Sequence, residues 1–394
     1  MKGLQINRQA IPRPGRKTTP GVFCRASLRL LRKAVLRRLV ACACLVSALL
    51  AAGACGPTLK TGSYHNGNPV EIIENSPRVY HIVFEDFADS IQTDRAESYL
   101  TWDYRGSGGA AVDTNELHGG SARELAALEY SRAAGLYDGG YIRKALGQVR
   151  RAMDADPTYR PPYILLGNLL ILQGRLDDAR TLFTRVITWD VTDSEALLGL
   201  ARCYMYTGEI EQAKKALVDA VIFNRYNLEA WSTLDMIGSV ESFDVADHEL
   251  PMLGSVRKQR GRHYDLVLDS SLEDCPTLAT AWIVFASQRA VWRYEGKFKQ
   301  YSRQARYAPT YEEDIDCYMS LTAAWQVLAQ TDTSVCDAGY LDHMSRVADA
   351  GYLVPHVLFD YVCLENPMAA RGFPTEVIEK MRDYINTYVI VSRG

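Results

Sequence analysis

No acidic residue occurs before Glu71 in this chain of 394 residues. Residues 1–54 hold 11 of the 44 Lys and Arg and none of the 47 Asp and Glu, so the remainder carries a net charge of −14. A body that acidic has no general attraction for nucleic acid and no broad polybasic grip on anionic lipid. Histidine is sparse, with only His65, His81, His118, His248, His263, His343 and His356. None lies in an H-E-x-x-H pair or beside C-x-x-C, so no metal site is readable by motif. A Gly-rich phosphate loop after a strand, a G-x-S-x-G elbow and an EF-hand loop are also missing. These absences leave no motif-level case for an enzyme or for a cofactor. The apolar run Leu39 to Cys55 falls short of the roughly 20 residues that span a membrane. What remains is a globular composition, 47% hydrophobic and 23% charged, which excludes disorder throughout.

The first 38 residues are basic, ending on Arg29, Arg32, Lys33, Arg37 and Arg38, and "LVACACLVSALLAAGAC" follows. A positive segment, a short apolar segment and small residues form a targeting signal. The ending "AAGAC", Ala52, Gly53, Ala54 and Cys55, resembles the lipobox of bacterial lipoproteins, with Ala52 where leucine is usual. The resemblance implies that Cys55 is lipidated and becomes the first mature residue. Its acyl chains would supply more than one anchor, enough for stable attachment. Gly56, not Asp, follows the cysteine; by the same resemblance the outer membrane is the expected destination. An uncleaved anchor and an organellar transit peptide are the alternatives for this region.

Residues 55–120 are expected to form a tether and a small N-terminal extended segment, with "PVEII" and "RVYHIVFEDF" β-rich in composition. From Ser121 the pattern turns helical. "GYIRKA", "GRLDDA" and "GEIEQA" begin at Gly140, Gly174 and Gly208, 34 residues apart. With units starting at Ala126, Arg160, Ser194 and Leu228, position 8 is Ala133, Gly167 and Ala201. Position 15 is Gly140, Gly174 and Gly208, and position 20 is Ala145, Ala179 and Ala213. Position 24 is Val149, Phe183 and Leu217, and position 27 is Ala152, Val186 and Ala220. Small residues at 8 and 20 let two helices approach. Glycine at 15 suits the left-handed conformation that ends a helix, and the large residue at 24 fills space between units.

This pattern resembles the tetratricopeptide repeat, a 34-residue helix–turn–helix unit. The fold expected is an all-α tetratricopeptide-repeat solenoid over 121–240, with a helical region of degenerate repeats over 241–394. One pair cannot bury its apolar face alone, so neighbours must stack. In that family the first helix of each unit lines a concave, protein-binding face. Carried over, the resemblance assigns the groove to Tyr130, Tyr137, Ile164, Asn168, Ile171, Leu198, Arg202, Met205 and Met236, with Asn168 and Arg202 as polar handles. Leu172, Glu195 and Tyr206 occupy groove positions as well. The lysines of the family's carboxylate-clamp subtype are missing.

The C-terminal region is less regular. Glu241 to Asp265 has no clear period, whereas Thr280 to Tyr311 echoes a repeat, with Trp282, Phe285 and Ala286 at the 4, 7, 8 spacing. "YEEDID" suits a solvated helix start, and three further helices are expected after it. Cys275, Cys317, Cys336 and Cys363 allow three disulfide connectivities, among which sequence does not choose. Cys203 reads as a small buried apolar residue. The expected function is a lipid-anchored protein-binding scaffold of the bacterial cell envelope, with no cofactor and no nucleic acid. The alternatives are an enzyme or small-ligand binder with its site in 241–394, and an organellar repeat protein.

Overall fold

The computed structural model describes residues 68–87, 121–302, 306–330 and 338–393. The signal segment and Cys55 lie outside the described residues. Four helical hairpins, the last of them half-formed, run from α2 (Ser121–Asp138) and α3 (Ile142–Ala155) through α4 (Pro161–Leu172) and α5 (Leu176–Trp189). They continue with α6 (Ser194–Thr207), α7 (Ile210–Phe223) and α8 (Leu228–Glu241).

The repeat positions do what their side chains require. Ala145, Ala179, Ala213, Val149, Phe183, Leu217, Ala152, Val186 and Ala220 are all fully buried. Gly140, Gly174 and Gly208 have φ of +75°, +73° and +79°, a region in which a Cβ is strained. Between units a second period of 34 appears. Asp156, Asp190 and Asn224 each accept a backbone N–H from the residue two further on, at 2.8, 2.9 and 3.1 Å. These side-chain turns fix each exit before the next helix starts. Asp193 and Asn227 then cap α6 and α8 by accepting from Ala196 N and Ala230 N, both at 3.0 Å.

Before the solenoid, "PVEII" forms not a strand but the short helix α1 (Pro69–Glu74). Its β-branched residues misled; Asn68, which caps Val70 N at 3.0 Å, and Pro69 in the first turn set the helix instead. The next stretch is the expected strand, β1 (Val79–Glu85). After α8 the irregular stretch holds three strands that sequence did not show: β2 (Phe243–Val245), β3 (Gly254–Lys258) and β4 (His263–Asp269). β4 pairs antiparallel with β3 and parallel with β1, from Val79 opposite His263 to Glu85 opposite Asp269. Two short strands marginal alone thus gain a third and a helix beneath them.

That helix is α9 (Pro276–Tyr294), buried from Thr277 to Trp292. The expected degenerate repeat supplies this first helix, but its second is only α10 (Lys297–Tyr301). The long helix beside α9 is instead α11 (Tyr311–Leu328). Then follow α12 (Gly339–Asp349), α13 (Leu353–Val357) with a π-helical turn at Leu358–Val362, and α14 (Cys363–Glu365). Last come α15 (Thr375–Tyr384), a second π-helical turn at Ile385–Val389, and β5 (Ile390–Ser392), which pairs antiparallel with β2.

One continuous core joins α7 and α8 to α1, the sheet and the C-terminal helices. Arg382 Nε donates to Asp219 Oδ1 at 2.5 Å, and Tyr226 OH to the Leu364 carbonyl at 2.5 Å, across this joint. The end of the solenoid is therefore closed by the C-terminal region. Cys275 is disulfide-bonded, whereas Cys203, Cys317 and Cys363 are buried free thiols. Cys336 lies outside the described residues.

Candidate functional site

Successive first helices touch: α2 meets α4 and α4 meets α6, more closely than α3, α5 and α7 approach one another. The first helices therefore lie on the inner side of the curve. On them Tyr130, Tyr137, Ile164, Asn168, Ile171, Arg202 and Met205 are half-buried, and Met236 is 60% exposed. Leu198 differs from expectation. At 1% exposure it belongs to the core and offers no surface, because α7 packs over it from the next layer.

The most exposed apolar residues of this face share one repeat position. Leu172, Tyr206 and Val240, each 34 residues after the last, are 60%, 69% and 79% exposed. Each stands at the end of its helix, where no following turn covers it. Val240 escaped the sequence reading because the period was lost to view after Gly238; counting 34 on from Tyr206 finds it.

Arg202 is not a free handle. Its Nη2 donates to Glu229 Oε2 at 2.7 Å. Glu195 stands on the same helix face one turn earlier and accepts from Asn227 Nδ2 at 3.2 Å. Partial burial, with Glu229 and Asp193 nearby, pushes the Glu195 carboxyl above its usual range. Of the polar positions, Asn168 alone keeps the expected role of an uncharged half-buried amide on an apolar face.

The family model for the tetratricopeptide repeat matches residues 170–234, the stretch from α4 to α8 that carries this face. The chain carries tetratricopeptide repeats. Among solved structures it is similar to the first tetratricopeptide domain of Spaghetti (RPAP3), determined bound to the HSP90 peptide SRMEEVD. The identity is 16%, the match covers 30% of this chain and 94% of that one, and the TM-score is 0.28. No curated protein matches the chain.

Where the tetratricopeptide solenoid meets the C-terminal region, three histidines gather from distant segments. His248 follows β2, His343 lies on α12 and His356 on α13. The His248 and His343 rings stack with centroids 3.9 Å apart, and His356 stands edge-on to His343 at 5.3 Å. His356 Nδ1 bonds Asp360 Oδ2 at 2.9 Å and Tyr384 OH at 2.7 Å, and Tyr384 OH donates to Asp360 Oδ2 at 2.5 Å. His248 Nε2 bonds the Tyr388 carbonyl at 2.9 Å. Burial, with His248 and His356 beside it, holds His343 down to about 4. Asp360 and Tyr388 lie in the two π-helical turns, a geometry that re-aims side chains within a helix. No local spacing could have signalled this cluster. Among the described residues no group of three His, Cys, Asp or Glu is set to hold a metal ion.

The acidic start of α11 is also not solvated. Glu313 and Asp314 are 1% exposed, and Arg289 Nη2 donates to Asp314 Oδ1 at 2.8 Å. Arg293 Nε donates to Glu313 Oε1 at 3.1 Å and Tyr307 OH to Glu313 Oε2 at 2.5 Å. The carboxylates begin a helix as expected, capped by Thr310, but they serve as counter-charges for α9. A cavity of about 360 Å³ opens nearby, lined by Arg78, Trp292, Arg293, Glu295, Lys299 and Tyr307 among others. His, Asp and Cys, which would mark an enzyme site in this region, are not in its lining.

Proposed function

We propose that this tetratricopeptide protein is a lipid-anchored scaffold of the bacterial cell envelope that recruits a protein partner along its inner face. Tetratricopeptide repeats mark a protein–protein interaction scaffold, and the observation that carries the reading is the row Leu172, Tyr206 and Val240. Unpaired apolar side chains at one repeat position, flanked by half-buried Tyr137 and Met205, suit binding and supply no chemistry. Binding, not catalysis, is the role proposed.

The anchor and the compartment rest on sequence. The basic segment, the apolar run and "AAGAC" before Gly56 support lipidation of Cys55 and delivery to the periplasmic face of the outer membrane. Disulfide-bonded Cys275 suits an oxidising compartment. No helix among the described residues is long and apolar enough to cross a membrane, so attachment in this reading falls to the lipid. Mass spectrometry of the mature N-terminus tests it. A diacylated Cys55 is expected; a free N-terminus elsewhere, or an intact leader, overturns the anchor. Affinity capture from solubilised envelope tests the scaffold. A partner enriched by the native chain should be lost when Tyr137 and Arg202 are replaced by Ala, and retention overturns the groove.

A further inference from the structure

The two faces of the solenoid carry opposite charge. The inner helices α2, α4, α6 and α8 hold seven Asp and Glu against three Arg, a net of −4. The outer helices α3, α5 and α7 hold five acids against eight Lys and Arg, a net of +3. Over the apolar row the imbalance sharpens. From α4 to α8 the inner face has one cation, Arg202, and Glu229 already holds it at 2.7 Å. Glu195, Asp235 and Glu241 remain without a cation within ion-pair distance there; all three are exposed. Glu195 is the instructive one. It accepts one neutral hydrogen bond, sits between two other acids, and is partly desolvated. A carboxylate in that setting gains most from a cation brought by something else.

We propose that the inner face takes a cationic amphipathic segment of its partner, with apolar side chains on Leu172, Tyr206 and Val240 and a Lys or Arg on Glu195. The inference rests on the scaffold reading and adds the chemistry of the occupant. An acidic tail is disfavoured on the same grounds: the one guanidinium that might receive its carboxylate is taken, and the surrounding charge repels it. Steering by the −4 face also favours encounter at this side over the +3 side.

The test uses the full chain and three labelled helical peptides. All carry the same leucine face; their flanks are Lys, Gln or Glu. Fluorescence anisotropy should show the Lys peptide binding at least tenfold more tightly than the Gln peptide, and the Glu peptide more weakly still. The advantage should shrink as salt rises, because the charges face water. Glu195→Gln should cut the Lys peptide's advantage several-fold and leave the Gln peptide unchanged. Val240→Asp should weaken the Lys and Gln peptides alike. If all three peptides bind equally and Val240→Asp weakens all of them, the charge inference fails and the groove stands. If Val240→Asp changes none of them, the groove fails as well.

Discussion

The ring of Phe183 occupies the space that a side chain on Gly199 would need. A Cβ there would stand 2.3 Å from the ring, and one on Gly167 would stand 2.5 Å away. Phe183 is the large residue that fills the gap between units, so two glycines on neighbouring helices make room for it. Gly199→Ala should therefore cost about 1–3 kcal/mol through overpacking. Gly147→Ala is the control. Its Cβ meets nothing within 4 Å, on the exposed side of α3, and Ala should add up to about 1 kcal/mol. Urea denaturation of both variants checks the opposite signs.

Arg289 and Asp314 predict a second energetic signature. Both side chains are 1% exposed. Arg289→Met leaves Asp314, and Glu313 beside it, buried with less positive charge, which should cost about 3–5 kcal/mol. Chemical denaturation measures it; a loss below 1 kcal/mol would show that the carboxylates find other partners. A double variant with Asp314→Leu should recover part of the loss.

The histidine cluster makes the joint acid-sensitive. His343 is held down to about 4 in the folded chain, against about 6.5 when unfolded. Its folded value is the lower one, so the unfolded state takes up the proton first. The contribution of neutral His343 is thus complete above about pH 6.5, fades as pH falls and is gone near 4. Thermal melts between pH 7.5 and 4.5 should show a smaller acid loss for His343→Gln than for the native chain. Equal slopes would remove His343 from the account.

Cysteine reactivity follows burial. Burial raises the Cys203 thiol to about 11 and the Cys363 thiol to about 12, and moves Cys317 up as well. Peptide mapping after treatment with an alkylating reagent at pH 7.5 should find all three unmodified in the native chain. They should be modified after denaturation.

The solenoid was legible because its constraints are local and recur. Gly140, Ala145 and Val149 specify a turn, a helix contact and an inter-unit filling, and the same set returns twice. Most of the groove was legible with it, since a repeat position fixes a face. Leu198 was misassigned because the next layer covers it, and Arg202 because its partner Glu229 lies one repeat away. The C-terminal region resisted for the same reason on a larger scale. His248 meets His343 and His356 only after more than 90 intervening residues are folded, and Glu313 finds Arg289 across a helix interface. β3 and β4 are short and their pairing with β1 spans most of the chain, so no periodicity announces them. Asn68 and Pro69 show the opposite case, a helix start written in two residues and outweighed by the composition after them.

The central claim is that the inner face of the repeats is the binding surface. A photoreactive amino acid placed at Tyr206, with a second placement at exposed Lys215 on α7, tests it most directly in intact cells. A discrete adduct with another protein from position 206, and none from 215, is the result expected. The same adducts from both positions, or none from 206, would contradict it.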